Sequence, residues 1–123
     1  MVSQNRASRI AKGIQEMLSE ILLFEVTDPR LQGVFVTGVN VDRELAFATV
    51  YVSALEGLQR RDEILQGFEG AAGFLRSQLA QRTELRTFPK LRFVWDPTPE
   101  HAEKIEKLLA DIKAKQEKGK SSG

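Results

Sequence analysis

Ile64-Leu65-Gln66-Gly67-Phe68-Glu69-Gly70-Ala71-Ala72-Gly73-Phe74-Leu75-Arg76-Ser77-Gln78-Leu79 reads as one amphipathic helix with four almost bare positions in its middle. Ile64, Leu65, Phe68 and Ala72 recur at helical spacing, and Leu75 and Leu79 continue the stripe. Each interior glycine costs a helix about 1 kcal/mol relative to alanine. Gly70-Ala71-Ala72-Gly73 therefore predicts a bend, and a place where another backbone can come close. Arg76, Arg82, Arg86, Lys90 and Arg92 follow it. Bare backbone succeeded by positive charge is what a phosphate backbone can use. A second explanation stays open here: a helix thinned to pack tightly against a sheet.

The flanks read as helix, two strands, broken helix, strand, helix and tail. The first helix runs from about Gln4 to Glu25, with Ile10, Ile14, Met17, Leu18, Ile21 and Leu22 on one face. Arg6, Arg9 and Lys12 fall opposite that stripe, as a solvated face or a phosphate-contacting one. Asp28-Pro29 stops the helix, because a residue before proline is driven out of the helical region, and Pro29 suits the second position of a turn through Leu31. Val34–Val41 and Leu45–Ala54 form a hairpin across Asp42-Arg43-Glu44. The second strand is apolar on both faces, which suits a central strand. Leu91–Trp95 is a third strand with Leu91, Phe93 and Trp95 on one side; these two aromatics and Tyr51 read as core rather than stacking platforms. The last helix starts at Thr98 as N-cap and Pro99 at the first position, with Ile105, Leu108, Leu109 and Ile112 as its stripe. Residues 1–112 then form one domain, and residues 113–123 a disordered lysine-rich tail.

Composition bounds the function. A chain of 123 residues with 41% hydrophobic and 28% charged residues is ordinary for one globular domain, and no cysteine is present for disulfides or thiolate chemistry. No apolar run approaches a membrane span. The basic start resembles a transit peptide, but the apolar stripe continues unbroken past Glu16 and Glu20, so cytoplasm is the expected location. The net charge of +1 hides segregation: residues 16–28 hold four acids and no cation, while residues 71–95 hold five cations against Glu84 alone. Local potential, not the total, governs binding of an anionic partner. His101 is the only histidine, and neither a nucleophile elbow nor a phosphate-binding or dinucleotide glycine motif occurs. No enzyme, metal or cofactor is expected.

Helix, strand, strand, helix with Gly-x-x-Gly, helix, strand resembles the type II K-homology (KH) arrangement, in which a glycine turn clamps single-stranded nucleic acid. That is an α+β fold, a three-stranded sheet with helices on one face, here with an added C-terminal helix. The wording is similar to the bacterial ribosome-binding factor A family in three stretches: Asp28-Pro29-Arg30-Leu31, Ala71-Ala72-Gly73-Phe74-Leu75-Arg76 and Leu85-Arg86-Thr87-Phe88-Pro89-Lys90-Leu91-Arg92-Phe93. Gly38-Val39-Asn40-Val41 and Ala48-Thr49-Val50-Tyr51-Val52 also match, and the resemblance covers roughly residues 5–112. In that family the KH loop is a kink written Ala-x-Gly, which fits Ala71-Ala72-Gly73; Gly70 restores the fuller KH spelling, and Lys90 stands where an acid is common.

The resemblance implies a non-catalytic, monomeric factor that binds the immature small (30S) ribosomal subunit and its rRNA. It also implies help with late maturation, including 5′-end processing, and with growth in the cold. The residues expected at RNA are Arg6, Arg9, Lys12, Arg30, Gly70, Ala71, Ala72, Gly73, Arg76, Arg82, Arg86, Lys90 and Arg92, with Arg30 equally suited to holding its turn through a local acid. Phosphate neutralisation would supply affinity and rRNA shape the specificity, in a cleft poor in exposed aromatics. A general single-strand binder and a protein-interaction module remain as alternatives. Neither a membrane nor a small-molecule substrate is expected.

Overall fold

The computed structural model describes residues 4–99 and 110–115. Helix α1 spans Gln4–Phe24, strands β1 and β2 span Val34–Val41 and Phe47–Ala54, helix α2 spans Arg61–Gln81 and strand β3 spans Lys90–Trp95. Short 3-10 turns at Pro29–Leu31 and Gly57–Arg60 lie between them. This is the expected α+β, KH-like order. His101 and most of the stretch expected as the last helix lie outside the described residues, as do residues from 116 onward. Residues 110–115 are helical, so helix reaches three residues past the expected boundary at Ile112; alanine and lysine are good helix formers.

The sheet has the order β1-β2-β3, with β1–β2 antiparallel and β2–β3 parallel. A parallel pair needs a crossover, and α2 is that crossover. Alternation on central β2 drives Ala48, Val50, Val52 and Ala54 into the core, where they meet Ile14, Leu18 and Ile21 of α1 and Ile64, Phe68, Leu75 and Leu79 of α2. Phe93 stacks on Phe68 with centroids 4.5 Å apart, and Trp95 packs against the same core. Tyr51 does not: it is half-buried on the sheet face turned away from the helices. The β1–β2 register shifts between Val36 and Gly38. Thr37, at this shift, donates its hydroxyl to Asp96 Oδ2 at 2.6 Å.

The β2 start and the course of α2 also differ from the sequence reading. Strand β2 begins at Phe47 rather than Leu45, because Leu45 takes φ +56° to close the hairpin turn. Such a conformation strains a branched residue. Asp42 compensates: its backbone carbonyl accepts from the Leu45 amide at 3.0 Å and its Oδ1 from the Phe47 amide at 2.8 Å. The expected break in the second helix is absent. Helix α2 runs as one element through residues 70–73, and neither glycine there adopts a positive φ. Ile64 and Phe68 before the bare stretch, and Leu75 and Leu79 after it, are all fully buried, so tertiary packing holds both halves on one axis against the weak propensity between them.

Candidate nucleic-acid interface

Gly70 and Gly73 are exposed, and Ala71 and Ala72 are half-buried. A methyl group on Gly73 would meet nothing within 4 Å, and one on Gly70 would lie 3.6 Å from Arg30 Nη2. Tight packing therefore does not require these two glycines. It requires Gly67, whose added carbon would lie 3.0 Å from Leu31 Cδ2 and 3.1 Å from Arg30 Cβ. The thinned-helix explanation thus belongs one turn earlier. Phe74 follows the bare stretch and is 49% exposed. Its signal in the sequence was its place just off the buried stripe, next to Gly73.

Arg30 is brought to this stretch by its turn. Asp28 Oδ1 accepts from the Arg30 amide at 2.9 Å, and the Asp28 carboxylate holds the guanidinium through Nη2 at 2.8 Å and Nε at 3.2 Å. The Arg30 side-chain hydrogen bond, and then its amide, hold the Asp28 carboxyl below its ordinary value; Asp28 in turn raises Arg30. Arg60, which the sequence reading passed over, ties the turn to the start of α2. It donates to Gln32 O at 2.7 Å and Arg30 O at 3.0 Å while paired with Glu63 at 2.7 Å and Glu56 at 3.2 Å. The two roles weighed for Arg30 are thus compatible, since the pair with Asp28 leaves its guanidinium beside Gly70.

The remaining cations do not form one surface. Arg76 points Nη2 at Phe88 O (2.7 Å) and Nε at Pro89 O (3.3 Å), bolting α2 to the loop before β3. Arg82 holds both carboxylate oxygens of Glu25 at 2.7 Å, joining the ends of α1 and α2. Losing binding on substitution of either would report on the fold as well as on the site. Arg92 lies 3.5 Å over the Phe47 ring on the open sheet face, and Lys90 is exposed on the same side of β3. Arg86 is exposed in the loop between α2 and β3. On α1, Arg6 lines a hollow with Thr83 and Glu84, whereas Lys12 lines the groove along β1, and Arg9 is exposed. The α1 cations therefore splay around the helix. Among the described residues no group of three or more His, Asp or Glu side chains is placed to hold a metal, and no helix is long and apolar enough to cross a membrane.

The family model for ribosome-binding factor A matches residues 6–109. The chain belongs to the ribosome-binding factor A family. A ribosome-binding factor A from Thiobacillus denitrificans is 43% identical over 104 residues, 85% of this chain and 84% of that relative. The solution structure of a Thermotoga maritima protein described as a putative ribosome binding factor A aligns at TM-score 0.66 and 31% identity, covering 76% of this chain and 90% of that one. Thermus thermophilus ribosome binding factor A, fitted into a cryo-electron-microscopy map of a 30S complex, aligns at TM-score 0.59 and 25% identity over 71% of this chain and 91% of that one.

Proposed function

We propose that this chain is a non-catalytic assembly factor that binds the immature small ribosomal subunit through its rRNA. In this reading it acts as a cytoplasmic monomer in late maturation, including 5′-end processing, and supports growth in the cold. The observation that carries the proposal is the pair of exposed helical glycines, Gly70 with the Arg30 guanidinium beside it and Gly73 with open space at its α-carbon, followed by the exposed Phe74. A phosphodiester can approach such a helix face closely, a guanidinium neutralises it, and an exposed ring can stack a base. The fitted 30S complex of the Thermus relative supports the choice of partner. Arg86, exposed in the loop that follows α2, would extend the electrostatic footprint of the bare stretch, while Lys90 and Arg92 would offer charge on the open face of the sheet.

Sedimentation with immature and mature small subunits tests it. Gly73→Glu places a carboxylate where nothing lies within 4 Å, so the domain keeps its fold and association falls at least tenfold. Phe74→Ala weakens binding less and leaves it salt-sensitive. Undiminished association of a folded Gly73→Glu protein refutes the site. Equal affinity for unstructured RNA and for subunits refutes the subunit as the specific partner.

A further inference from the structure

The sheet face turned away from the helices is a surface that the glycines of α2 do not use. The strand register sets out its side chains in rows. Phe47 is level with Lys90, Thr49 with Asn40 on one side and Arg92 on the other, and Tyr51 with Gly38 and Val94. Consecutive strand residues point to opposite faces. Ala48, Val50 and Val52 are buried in the core, so the rows between them lie on the outer face. Phe47, Thr49 and Tyr51 are half-buried there, while Lys90, Arg92 and Val94 are exposed.

Two features of this face suit flat rings. Arg92 reaches diagonally to Phe47, and its guanidinium carbon lies 3.5 Å from the ring centroid. Ring and guanidinium are thus already stacked, and the outer side of an exposed guanidinium plane is a surface on which a base stacks. The second feature is Gly38. A carbon added there would meet nothing within 4 Å, so the flank of Tyr51 toward β1 is open. Glycine inside a strand marks a place where a ligand can approach the backbone closely. The charge has one sign on the β3 side of the face. Among the described residues neither Lys90 nor Arg92 has a carboxylate partner. Two acids border the face, and the chain engages both. Asp96 accepts from the Thr37 hydroxyl and the Thr98 amide, and Asp42 accepts from the Phe47 amide and lines the hollow against α1. We propose that the outer face of the sheet is a second RNA-contacting surface, taking two unpaired bases of a single strand. One base stacks on the Arg92–Phe47 pair, the next lies over Gly38 against the Tyr51 ring, and Lys90 meets the phosphate. A carboxylate-rich peptide would answer the charge but leave the stacking surfaces uncovered. This rests on the reading of the chain as an RNA binder and extends it: the bare stretch of α2 and the outer face lie on opposite sides of the sheet, so one domain holds two RNA segments.

Hexa-adenylate RNA is the probe, titrated into isotopically labelled protein and followed through backbone amides and aromatic side chains. The expected response covers Gly38, residues 47–51 and residues 90–94, beside a separate one at residues 70–76. Gly38→Val fills open space with a residue that suits a strand, and Arg92→Lys keeps the charge but loses the plane. Both side chains project from the outer face, so the core is spared. Each variant should lower the affinity read at the sheet about fivefold or more and leave the response of residues 70–76 unchanged. The proposal is overturned by a silent sheet face at millimolar RNA, by full affinity in either variant, or by an equal response to a hexaglutamate peptide. The two sites report separately. A response confined to residues 70–76 defeats this inference and leaves the proposed function standing, whereas one confined to the sheet defeats the site on α2. Gly73→Glu should erase only the response of residues 70–76.

Discussion

Alanine at Gly67 and at Gly73 should shift stability unequally, raising it at Gly73 and not at Gly67, although both glycines lie in the interior of α2. Each replacement gains about 1 kcal/mol of helix propensity, and neither position has the positive φ that would reserve it for glycine. The difference between the two variants is therefore the packing cost alone. At Gly73 there is none, because nothing lies within 4 Å of the added carbon. At Gly67 the new methyl meets Leu31 Cδ2 at 3.0 Å and Arg30 Cβ at 3.1 Å. The leucine terminus can rotate, but it is buried among the core residues. Arg30 Cβ cannot retreat without moving a turn that Arg60 holds by two carbonyls. Overpacking of this kind costs about 1–3 kcal/mol. At roughly 4 °C per kcal/mol for a domain of this size, Gly67→Ala should melt about 4–12 °C below Gly73→Ala, and Gly73→Ala should melt above the parent. Thermal unfolding followed by circular dichroism, with urea midpoints as a second measure, reads both. Equal midpoints for the two variants would show that the Leu31 contact yields at no cost, and would refute the assignment of tight packing to Gly67. Gly73→Ala also separates stability from function: it should bind small subunits more weakly while being the more stable protein.

Arg76→Ala should cost about 2 kcal/mol through loss of a charged donor to the Phe88 and Pro89 carbonyls; Arg76→Lys should recover less than half, since one ammonium cannot span both acceptors, and a loss under about 0.5 kcal/mol in urea unfolding would contradict this. A double-mutant cycle on Glu25 and Arg82, whose side chains are 38% and 33% exposed, should give a coupling of about 0.5 kcal/mol that shrinks in high salt; coupling above about 2 kcal/mol would mean the pair is shielded from solvent. Asp28 and Asp96 are held below the ordinary 3.8, Asp28 chiefly by the Arg30 side chain and Asp96 chiefly by the Thr37 hydroxyl. A depressed folded-state value stabilises above the unfolded one and is lost as pH falls through the folded one, so stability should decline below about pH 4, and Asp96→Asn should flatten that decline in acid titrations of the melting temperature. Binding of single-stranded RNA at the bare stretch should show a log–log salt slope of about −1.4, about 0.7 for each of Arg30 and Arg86; a slope of about −3 would show that Lys90 and Arg92 on the open sheet face also meet the phosphates of that strand, and one of about −6 that the cations on α1 and the internally bonded Arg76 and Arg82 do so too.

Legibility followed the range of the interaction. The order of elements and the buried faces of β2 and β3 could be read because alternation and helical spacing are local signals, and β3 was misplaced only by leaving out Lys90. The end of α1 followed from Asp28-Pro29, a steric rule between neighbours. Leu45 was misread because its β-like composition hid a left-handed turn enforced by Asp42, three residues back. The continuity of α2 was illegible because it is decided by Phe68 and Leu75 meeting the sheet, not by the four residues between them. Arginines were hardest. Nothing near Arg82 announces Glu25, 57 positions away, and nothing near Arg76 announces the carbonyls of Phe88 and Pro89. A guanidinium looks alike in sequence whether it faces solvent or spans two backbone acceptors.

That ambiguity explains why counting cations along the chain hid their division between structural and solvent-facing roles. Cations that the fold uses are engaged within it, at Arg60, Arg76 and Arg82, each on protein acceptors. Arg30 is the exception in kind: its partner Asp28 orients it without covering it, so one ion pair both builds the turn and presents charge at Gly70.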